Sequence, residues 1–225
     1  MGQGFFVTGT DTGVGKTLVA CALLHGFATA GKSAVGMKPV AAGSEKGRWS
    51  DVEALRRAST VRAEAGLVNP YAFEPAIAPH VAAELAGIEI ETEIIAKAYE
   101  ELARRAEVVV VEGVGGVMVP LNARQTSADL AMRLGLPMVL VVGMRLGCLN
   151  HALLTHREIA ACGLRCAGWV ANCLFQEIPQ LDANIRALRT RLASPLLGVV
   201  PFQQDPKARA IAGMLAIDAL VGTEA

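Results

Sequence analysis

A glycine-rich segment near the start of the sequence constrains the fold more than any other. Residues Gly9 to Thr17 read GTDTGVGKT and follow the apolar run Phe5-Phe6-Val7. Such a loop, placed between a strand and a helix, turns backbone N–H groups inward, and the helix adds the positive end of its dipole. Lys16 supplies a charge for the β and γ phosphates of a nucleotide, and Thr17 supplies a hydroxyl for the Mg²⁺ they carry. The segment therefore predicts a nucleoside triphosphate site.

The spacing within this segment departs from the usual one. The common pattern has a glycine five residues before Gly15, at the position of Thr10, whereas this chain has Gly9. The segment is therefore a variant of the P-loop. The alternative, a turn that precedes a lysine by chance, is disfavoured by the strand before it and the apolar helical run after it. The residues expected to bind the nucleotide here are Gly13, Val14, Gly15, Lys16, Thr17 and Leu18.

Short apolar runs alternate with longer helical patterns along the chain. The predicted strands are residues 5–8, 33–37, 108–111, 138–142, 167–171 and 197–200. The predicted helices are residues 17–30, 51–58, 91–106, 127–134, 150–162, 179–192 and 207–220. Because the strands are continuously apolar, they predict an α/β fold, a parallel sheet flanked by helices on both faces. We expect one P-loop NTPase-like domain over residues 1–225, with residues 66–79 as an irregular loop on the substrate side.

The composition limits the partners that we expect. The 225 residues include 21 Lys plus Arg and 21 Asp plus Glu, without a basic cluster. This balance argues against nucleic acid or an anionic membrane as the principal partner. No apolar stretch approaches the roughly 18 residues of a membrane-spanning helix, and the P-loop begins at Gly9, so we expect no signal peptide and a cytoplasmic protein. The five cysteines do not have the spacing of a zinc site.

Polar residues at the ends of the predicted strands indicate where a ligand binds, because ligands of such sheets lie at the carboxyl ends of the strands. Glu112 follows four valines, and Asp51 begins a predicted helix. With Thr17, these carboxylates suit Mg²⁺, which prefers one or two carboxylates beside phosphate oxygens. The alternative for both carboxylates is a role at a helix start.

Two further polar residues follow strands. Lys38 ends the second predicted strand and is expected to face the γ-phosphate; a surface lysine is the alternative. The side-chain amide of Asn172 offers one donor and one acceptor to the edge of an adenine; a turn residue is the alternative. The four histidines match no nucleophile or metal spacing.

Several short motifs occur in a fixed order along the chain. They are FVTGTDT from Phe6, VGKT from Val14, Lys38-Pro39-Val40, Val68-Asn69-Pro70-Tyr71, Pro79-His80, Val111-Glu112-Gly113 with Gly115-Gly116, Leu146-Gly147-Cys148 with Asn150-His151, and GWVAN from Gly168 to Asn172. With these motifs the chain resembles the dethiobiotin synthetase family over nearly its whole length. So many motifs in the same order are more specific than a P-loop alone.

The resemblance implies a homodimeric ligase that uses ATP, Mg²⁺ and CO₂ to close a ureido ring on 7,8-diaminononanoate, a step of biotin biosynthesis. One amine becomes a carbamate, the carbamate oxygen attacks the γ-phosphate to form a carbamic-phosphoric anhydride, and the second amine closes the ring and expels phosphate. The implied catalytic residues are Lys16 and Lys38, and the implied metal ligands are Thr17, Asp51 and Glu112. Further implied nucleotide contacts are Gly113, Val114, Gly115, Asn172, Cys173, Pro201, Phe202 and Gln203. The implied substrate contacts are Thr12, Lys38, Ala42, Gly147, Cys148 and Asn150, and the segment with the last three receives the substrate carboxylate from the second subunit.

Two positions depart from the family pattern. Ala42 stands where the family usually has Ser or Thr, so a hydroxyl to the diamine or the carbamate is missing. Weaker substrate binding, or replacement by Ser44 or a water, is expected, since a lost hydrogen bond to a charged group costs about 1.5–3 kcal/mol. Cys173 stands where a polar residue is frequent, which leaves the nucleobase preference open.

Two other P-loop classes are alternatives. The amidase half of the cobyrinic acid amide synthases has a similar loop, but it needs a glutaminase domain for which this sequence has no Cys/His signature. Partitioning ATPases of the septum- or plasmid-positioning type carry a signature lysine at the position of Asp11, and often a basic DNA surface or a membrane helix. Neither feature is present in the sequence.

Overall fold

A six-stranded parallel sheet is the centre of the fold. The structure is a computed structural model that describes residues 2–221. The strands are β1 (Gln3–Gly9), β2 (Ala34–Met37), β3 (Val40–Ala42), β4 (Tyr71–Phe73), β5 (Val108–Glu112), β6 (Met138–Met144), β7 (Cys166–Cys173) and β8 (Leu196–Val200). Six of them form the sheet in the order β2-β5-β1-β6-β7-β8, while β3 and β4 form a separate parallel pair.

Helices cover both faces of this sheet. They are α1 (Lys16–Thr29), α2 (Ser50–Ala58), α3 (Ala65–Val68), α4 (Pro79–Leu85), α5 (Thr92–Arg105), α6 (Ser127–Leu134), α7 (Cys148–Ala161), α8 (Leu181–Arg189), α9 (Ala208–Ala212) and α10 (Asp218–Val221). On one face, Phe5 of β1 packs in a cluster with α1, α2 and α9. On the other, Phe6 packs with α5 and α6, and Trp169 packs with α7 and α8. Because successive strand side chains point to opposite faces, a continuously apolar strand serves both layers. The predicted α/β P-loop NTPase fold is confirmed.

The six predicted strands are found within two residues at each end, so that Glu112, Gly143 and Asn172 lie inside strands. The prediction of an irregular loop at residues 66–79 was partly wrong, because this stretch contains most of α3 and all of β4, and α4 begins at its last residue. The predicted helix 207–220 is two short helices, since the chain between them turns so that Ala216 N–H donates to Leu197 O (2.8 Å) on the edge strand β8. The predicted helix 179–192 is shorter at both ends.

Over residues 2–221, no helix has both the length and the hydropathy needed to cross a bilayer. That residues 1–225 form one domain stays a prediction, and residues 1 and 222–225 lie outside the described part of the chain.

Candidate active site

The P-loop, Gly9 to Thr17, joins β1 to α1 and has the backbone geometry of an anion site. Gly13 and Gly15 have φ angles of 74° and 91°, a region that glycine adopts without steric cost. Gly15 is the N-cap residue of α1, and within the described chain no side chain caps that end and no acidic residue lies in the first turn. The positive end of the helix dipole is therefore left for a ligand.

Lys16 is buried at the base of this loop. Its Nζ donates to Asp11 O at 2.9 Å, and only 7% of the residue is exposed. Burial, and after it the charge of Lys38, lowers the pKa of Lys16 to about 8. In the described residues its hydrogen-bond partner is a carbonyl and not a carboxylate, so a phosphate would supply the negative charge that this ammonium lacks.

We expect ATP affinity to fall above about pH 8, because Lys16 loses its proton in the free protein near that value. A bound phosphate stabilises the charged form, so the pKa is higher in the complex and binding takes up a proton above the free pKa. The Kd should stay flat below this pH and rise about tenfold per unit above it. Calorimetry at pH values below and above about 8 measures the Kd for ATP. The control is Lys16→Arg, which stays charged at these pH values and should abolish the rise in Kd. A flat wild-type profile would contradict the expectation.

Lys38 and Glu112 are buried and form an ion cluster with the partly exposed Asp51. The Nζ of Lys38 lies 2.8 Å from Oε1 of Glu112 and 3.0 Å from Oδ2 of Asp51, and it donates to Gly113 O at 3.2 Å. Lys38 is 4% exposed and Glu112 is 1% exposed. Burial lowers the pKa of Lys38, but the charges of Glu112 and Asp51 outweigh it, and the pKa is raised overall. The cluster therefore holds a charged ammonium between two carboxylates.

The sheet register explains why these side chains meet. Met37 of β2 pairs with Val111 of β5, so the next residues along each strand, Lys38 and Glu112, emerge side by side at the carboxyl edge. Asp51 reaches the same point from the first turn of α2. The sequence-based prediction that the polar residues after these strands share one edge of the sheet agrees with the positions of Lys38 and Glu112, whereas Asp51 was predicted at a helix start and not after a strand.

The predicted Mg²⁺ ligands lie together here. Thr17 Oγ1 donates to Oε1 of Glu112 at 2.8 Å, and Asp51 contacts the same lysine as Glu112. Oε2 of Glu112 is buried without a hydrogen-bond partner among the described residues, an arrangement that is costly unless a ligand completes it. Hydroxyl and carboxylate oxygens are the ligands that Mg²⁺ prefers, so the donor set fits this ion. Since residues 2–221 contain no cluster of three or more His, Cys, Asp or Glu suited to a metal, phosphate and water would have to complete the shell.

Asn172 packs against the P-loop. Its Nδ2 donates to Val14 O at 2.8 Å, and the residue is 6% exposed. A Cβ added to Gly15 would lie 2.2 Å from the same nitrogen. The amide thus fixes the loop backbone, and its predicted contact with adenine stays a prediction.

The other predicted site residues lie at the same end of the sheet. Gly113, Val114 and Gly115 follow β5, Cys173 ends β7, and Pro201, Phe202 and Gln203 follow β8. Ala42 ends β3, Gly147 precedes α7, and Cys148 and Asn150 lie in its first turn. Thr12 lies in the P-loop, where a Cβ on Gly115 would be 3.6 Å from its Oγ1. Apart from Gly113, no hydrogen bond or ion pair between described residues joins these residues to Lys38, and their ligand contacts stay predictions.

One contact of the P-loop was not anticipated from the sequence. Nη2 of Arg145 lies 2.5 Å from Oδ2 of Asp11, whose Oδ1 accepts the Thr12 N–H at 2.7 Å. The Thr12 hydrogen bond, followed by that of Arg145, lowers the pKa of Asp11 against the opposing effect of burial. A half-exposed arginine in a loop gives no signal in the sequence that it pairs with a residue of the P-loop. The pair holds the Asp11 carboxylate at the position where partitioning ATPases carry a lysine.

Curated relatives identify the family. An AAA-domain family model matches residues 3–209. The ATP-dependent dethiobiotin synthetase of Nitrosospira multiformis is 54% identical over 217 residues, which cover 96% of each chain. That of Aromatoleum aromaticum is 53% identical and covers 88% of this chain and 90% of its own, and that of Xanthomonas oryzae pv. oryzae is 49% identical and covers 92% and 94%.

Solved structures share the fold at much lower identity. The MinD cell division protein of Aquifex aeolicus has a TM-score of 0.61 over 100% of this chain and 99% of its own, at 15% identity. The septum site-determining protein MinD of Pyrococcus horikoshii, complexed with Mg-ADP, has a TM-score of 0.55 over 99% and 90%, also at 15% identity. At that identity the likeness shows the fold alone, whereas the sequence relatives are decisive: the chain belongs to the ATP-dependent dethiobiotin synthetase family.

Proposed function

We propose that this protein closes a ureido ring on 7,8-diaminononanoate, using ATP and CO₂, to form dethiobiotin. The observation that carries the proposal is the contact of Lys38 with Glu112 and Asp51 beside Thr17 of the P-loop, in a chain of this family. Phosphoryl transfer depends mostly on positioning and charge neutralisation, and this cluster combines a buried cation with oxygen ligands for a metal.

The residues divide into two groups by their place in the site. The P-loop amides and Lys16 would bind the β and γ phosphates. Lys38 would neutralise charge on the carbamate and the transferred phosphoryl group, which a preorganised ammonium in a water-poor site does effectively. Thr17, Asp51 and Glu112 would hold Mg²⁺, which supplies further neutralisation of the phosphates.

The proposed reaction needs no reactant besides the diamine, CO₂ and ATP. One amine of the diamine adds to CO₂ and loses a proton, giving a carbamate. A carbamate oxygen attacks the γ-phosphate, and ADP leaves. The second amine then attacks the carbonyl carbon, the bond from that carbon to the phosphate oxygen breaks, and the amine gives up one proton to the departing phosphate or to water, which closes the ring.

We further propose a homodimer in the cytoplasm, with small-molecule substrates and without a nucleic acid or membrane partner. Gly147, the N-cap residue of α7, has a φ of 91°, and the first turn of this helix has no acidic residue. A helix start of this kind suits a carboxylate, which supports substrate binding by Gly147, Cys148 and Asn150 from the second subunit. Leu146 and Leu154 are exposed nearby, as in a surface that another subunit covers.

The decisive experiment incubates the protein with diamine, bicarbonate and Mg-ATP. Phosphate release should require the diamine and match dethiobiotin formed, measured by mass spectrometry. Equal phosphate release without diamine would instead favour a partitioning-type ATPase switch. Gel filtration with multi-angle light scattering tests the dimer separately.

Ala42 offers a test of the substrate pocket. Ala42→Ser restores the hydroxyl that the family usually has, and a hydrogen bond to a charged group contributes about 1.5–3 kcal/mol. We expect the KM for the diamine to fall about tenfold or more, with little change in the KM for ATP. An unchanged KM for the diamine would mean that Ser44 or a water already makes this hydrogen bond.

A further inference from the structure

We propose that Asn69 is a positioning residue for Lys38, an inference that rests on the proposed catalytic role of that lysine. The motif Val68-Asn69-Pro70-Tyr71 has no role in the reaction described above, yet its backbone runs directly beside the catalytic lysine. Lys38 N–H donates to Val68 O at 2.8 Å, and Tyr71 N–H donates to Pro39 O at 3.1 Å. The two segments then continue as the paired strands β3 and β4.

Pro39 interrupts the backbone hydrogen bonds between these two segments, because proline has no N–H to donate. It also lies between β2 and β3. Asn69 fills the gap with its side chain: Nδ2 donates to Lys38 O at 2.7 Å and to Tyr71 O at 2.9 Å. Both hydrogens of the amide are used. The residue before a proline is kept extended, and Asn69, which precedes Pro70, has φ −141° and ψ 85°. The main chain of Lys38 is thereby held at its N–H by Val68 and at its carbonyl by Asn69.

This support matters because Lys38 belongs to no strand. It lies between β2 and β3 at the edge of the main sheet, yet its Nζ must stay within hydrogen-bond distance of three oxygens. A displacement of about 1 Å at a reacting group can cost roughly 100-fold in rate. A displacement of the Lys38 backbone also displaces the ammonium at the end of its side chain.

The other end of β2 provides a matched control. There, Ala34 N–H donates to Thr60 Oγ1 at 2.7 Å, and the same hydroxyl donates to Ala34 O at 3.2 Å. Thr60 thus supports the same edge strand by the same kind of side-chain to backbone bond, four residues before Lys38. A loss of stability without a loss of positioning is expected from Thr60→Val.

The experiment compares Asn69→Leu, Asn69→Asp and Thr60→Val by steady-state kinetics, thermal unfolding and NMR. Asn69→Asp keeps the shape of the side chain but removes both donors, so it also serves if Asn69→Leu does not fold. In protein labelled with ¹⁵N at the lysine Nζ, the buried Lys38 ammonium is expected to give a slowly exchanging signal, assigned with Lys38→Met. This signal reports the ammonium directly, which thermal unfolding does not.

Both Asn69 variants should lose roughly 10- to 100-fold in kcat, keep the KM for ATP within about twofold, and shift or lose the Lys38 signal. Thr60→Val should keep kcat and the signal even where its Tm falls. Wild-type kcat together with a wild-type Lys38 signal in the Asn69 variants would overturn the proposal, whatever their Tm. If Lys38→Met itself retains turnover, the proposed function of Lys38 fails, and the signal of the Asn69 variants still decides whether Asn69 positions that side chain.

Discussion

Lys38→Ala is expected to abolish ring closure while nucleotide binding persists. Lys16 Nζ bonds to Asp11 O rather than to the carboxylates that Lys38 contacts, so Lys16 and the loop amides should still bind phosphate, even though Thr17 shares Oε1 of Glu112 with Lys38. Removing a preorganised charge that acts on the transition state typically lowers kcat by about 100- to 1,000-fold. Dethiobiotin formation and binding of a fluorescent ATP analogue measure the two effects separately.

The same substitution should lower the free energy of unfolding. Without the ammonium, Glu112 stays buried as an anion beside Asp51, whose side chain is 27% exposed. Breaking a buried ion pair costs about 3–5 kcal/mol, and partial exposure of Asp51 favours the lower end. Mg²⁺ should stabilise Lys38→Ala more than the wild type, because it replaces the missing cation between oxygen ligands. Urea unfolding with and without Mg²⁺ measures this difference.

Two variants separate these effects. Lys38→Ala combined with Glu112→Gln removes the stranded charge and should recover stability but not turnover. Lys32→Ala breaks an exposed pair with Glu107, where the side chains are 42% and 51% exposed, and should change stability little, because exposed ion pairs contribute little, with turnover intact. Unchanged turnover in Lys38→Ala would remove this lysine from the mechanism.

Residue type and position along the chain were enough to predict the fold and to place Lys38 and Glu112 at one edge of the sheet. Continuously apolar strands indicate a parallel sheet, and the carboxyl ends of such strands share an edge. Lys38 and Glu112 could therefore be placed together from the sequence, since each follows the apolar part of a strand. The glycines and the lysine of the P-loop indicated the phosphate site in the same way.

Contacts between distant segments could not be predicted from local patterns. β3 and β4 are three residues long, too short for a periodicity to show. Asn69 reads as a turn residue before a proline, and its bond to Lys38 exists only because the two segments lie side by side. Arg145 and Asp11 are 134 residues apart. In each case tertiary packing, rather than propensity, decides what the residue contacts.

Asn172 and Gly15 are a further pair of this kind, and they give the second large effect. Gly15→Ala is expected to weaken ATP binding on the order of 100-fold. The added Cβ would lie 2.2 Å from Asn172 Nδ2, and φ at this position is 91°, which L-residues rarely adopt. Asn172 is buried and its Nδ2 is bonded to Val14 O, so the loop must move, and its backbone N–H groups then no longer point at the phosphates.

The size of this effect follows from its two parts. Backbone strain costs about 1–2 kcal/mol, and a disrupted hydrogen bond to a charged ligand costs about 1.5–3 kcal/mol. Gly135→Ala is a control for the backbone strain alone. Gly135 also has a positive φ, 64°, but a Cβ there meets no described atom within 4 Å. This substitution should lower the Tm and leave the Kd for ATP unchanged.

The double variant Gly15→Ala/Asn172→Ala tests the steric part. Asn172→Ala also removes the bond to Val14 O, but in the double variant it gives the new methyl group room. The double variant should therefore lose less ATP affinity than the sum of the losses in the two single variants, although the strain at φ 91° remains. Isothermal calorimetry of the wild type, Gly15→Ala, Asn172→Ala and the double variant forms a double-mutant cycle, and a coupling free energy near zero would mean that Asn172 does not hold the loop. Wild-type affinity in Gly15→Ala would show that the loop tolerates the shift, and the close approach of β7 to the P-loop would then have no part in nucleotide binding.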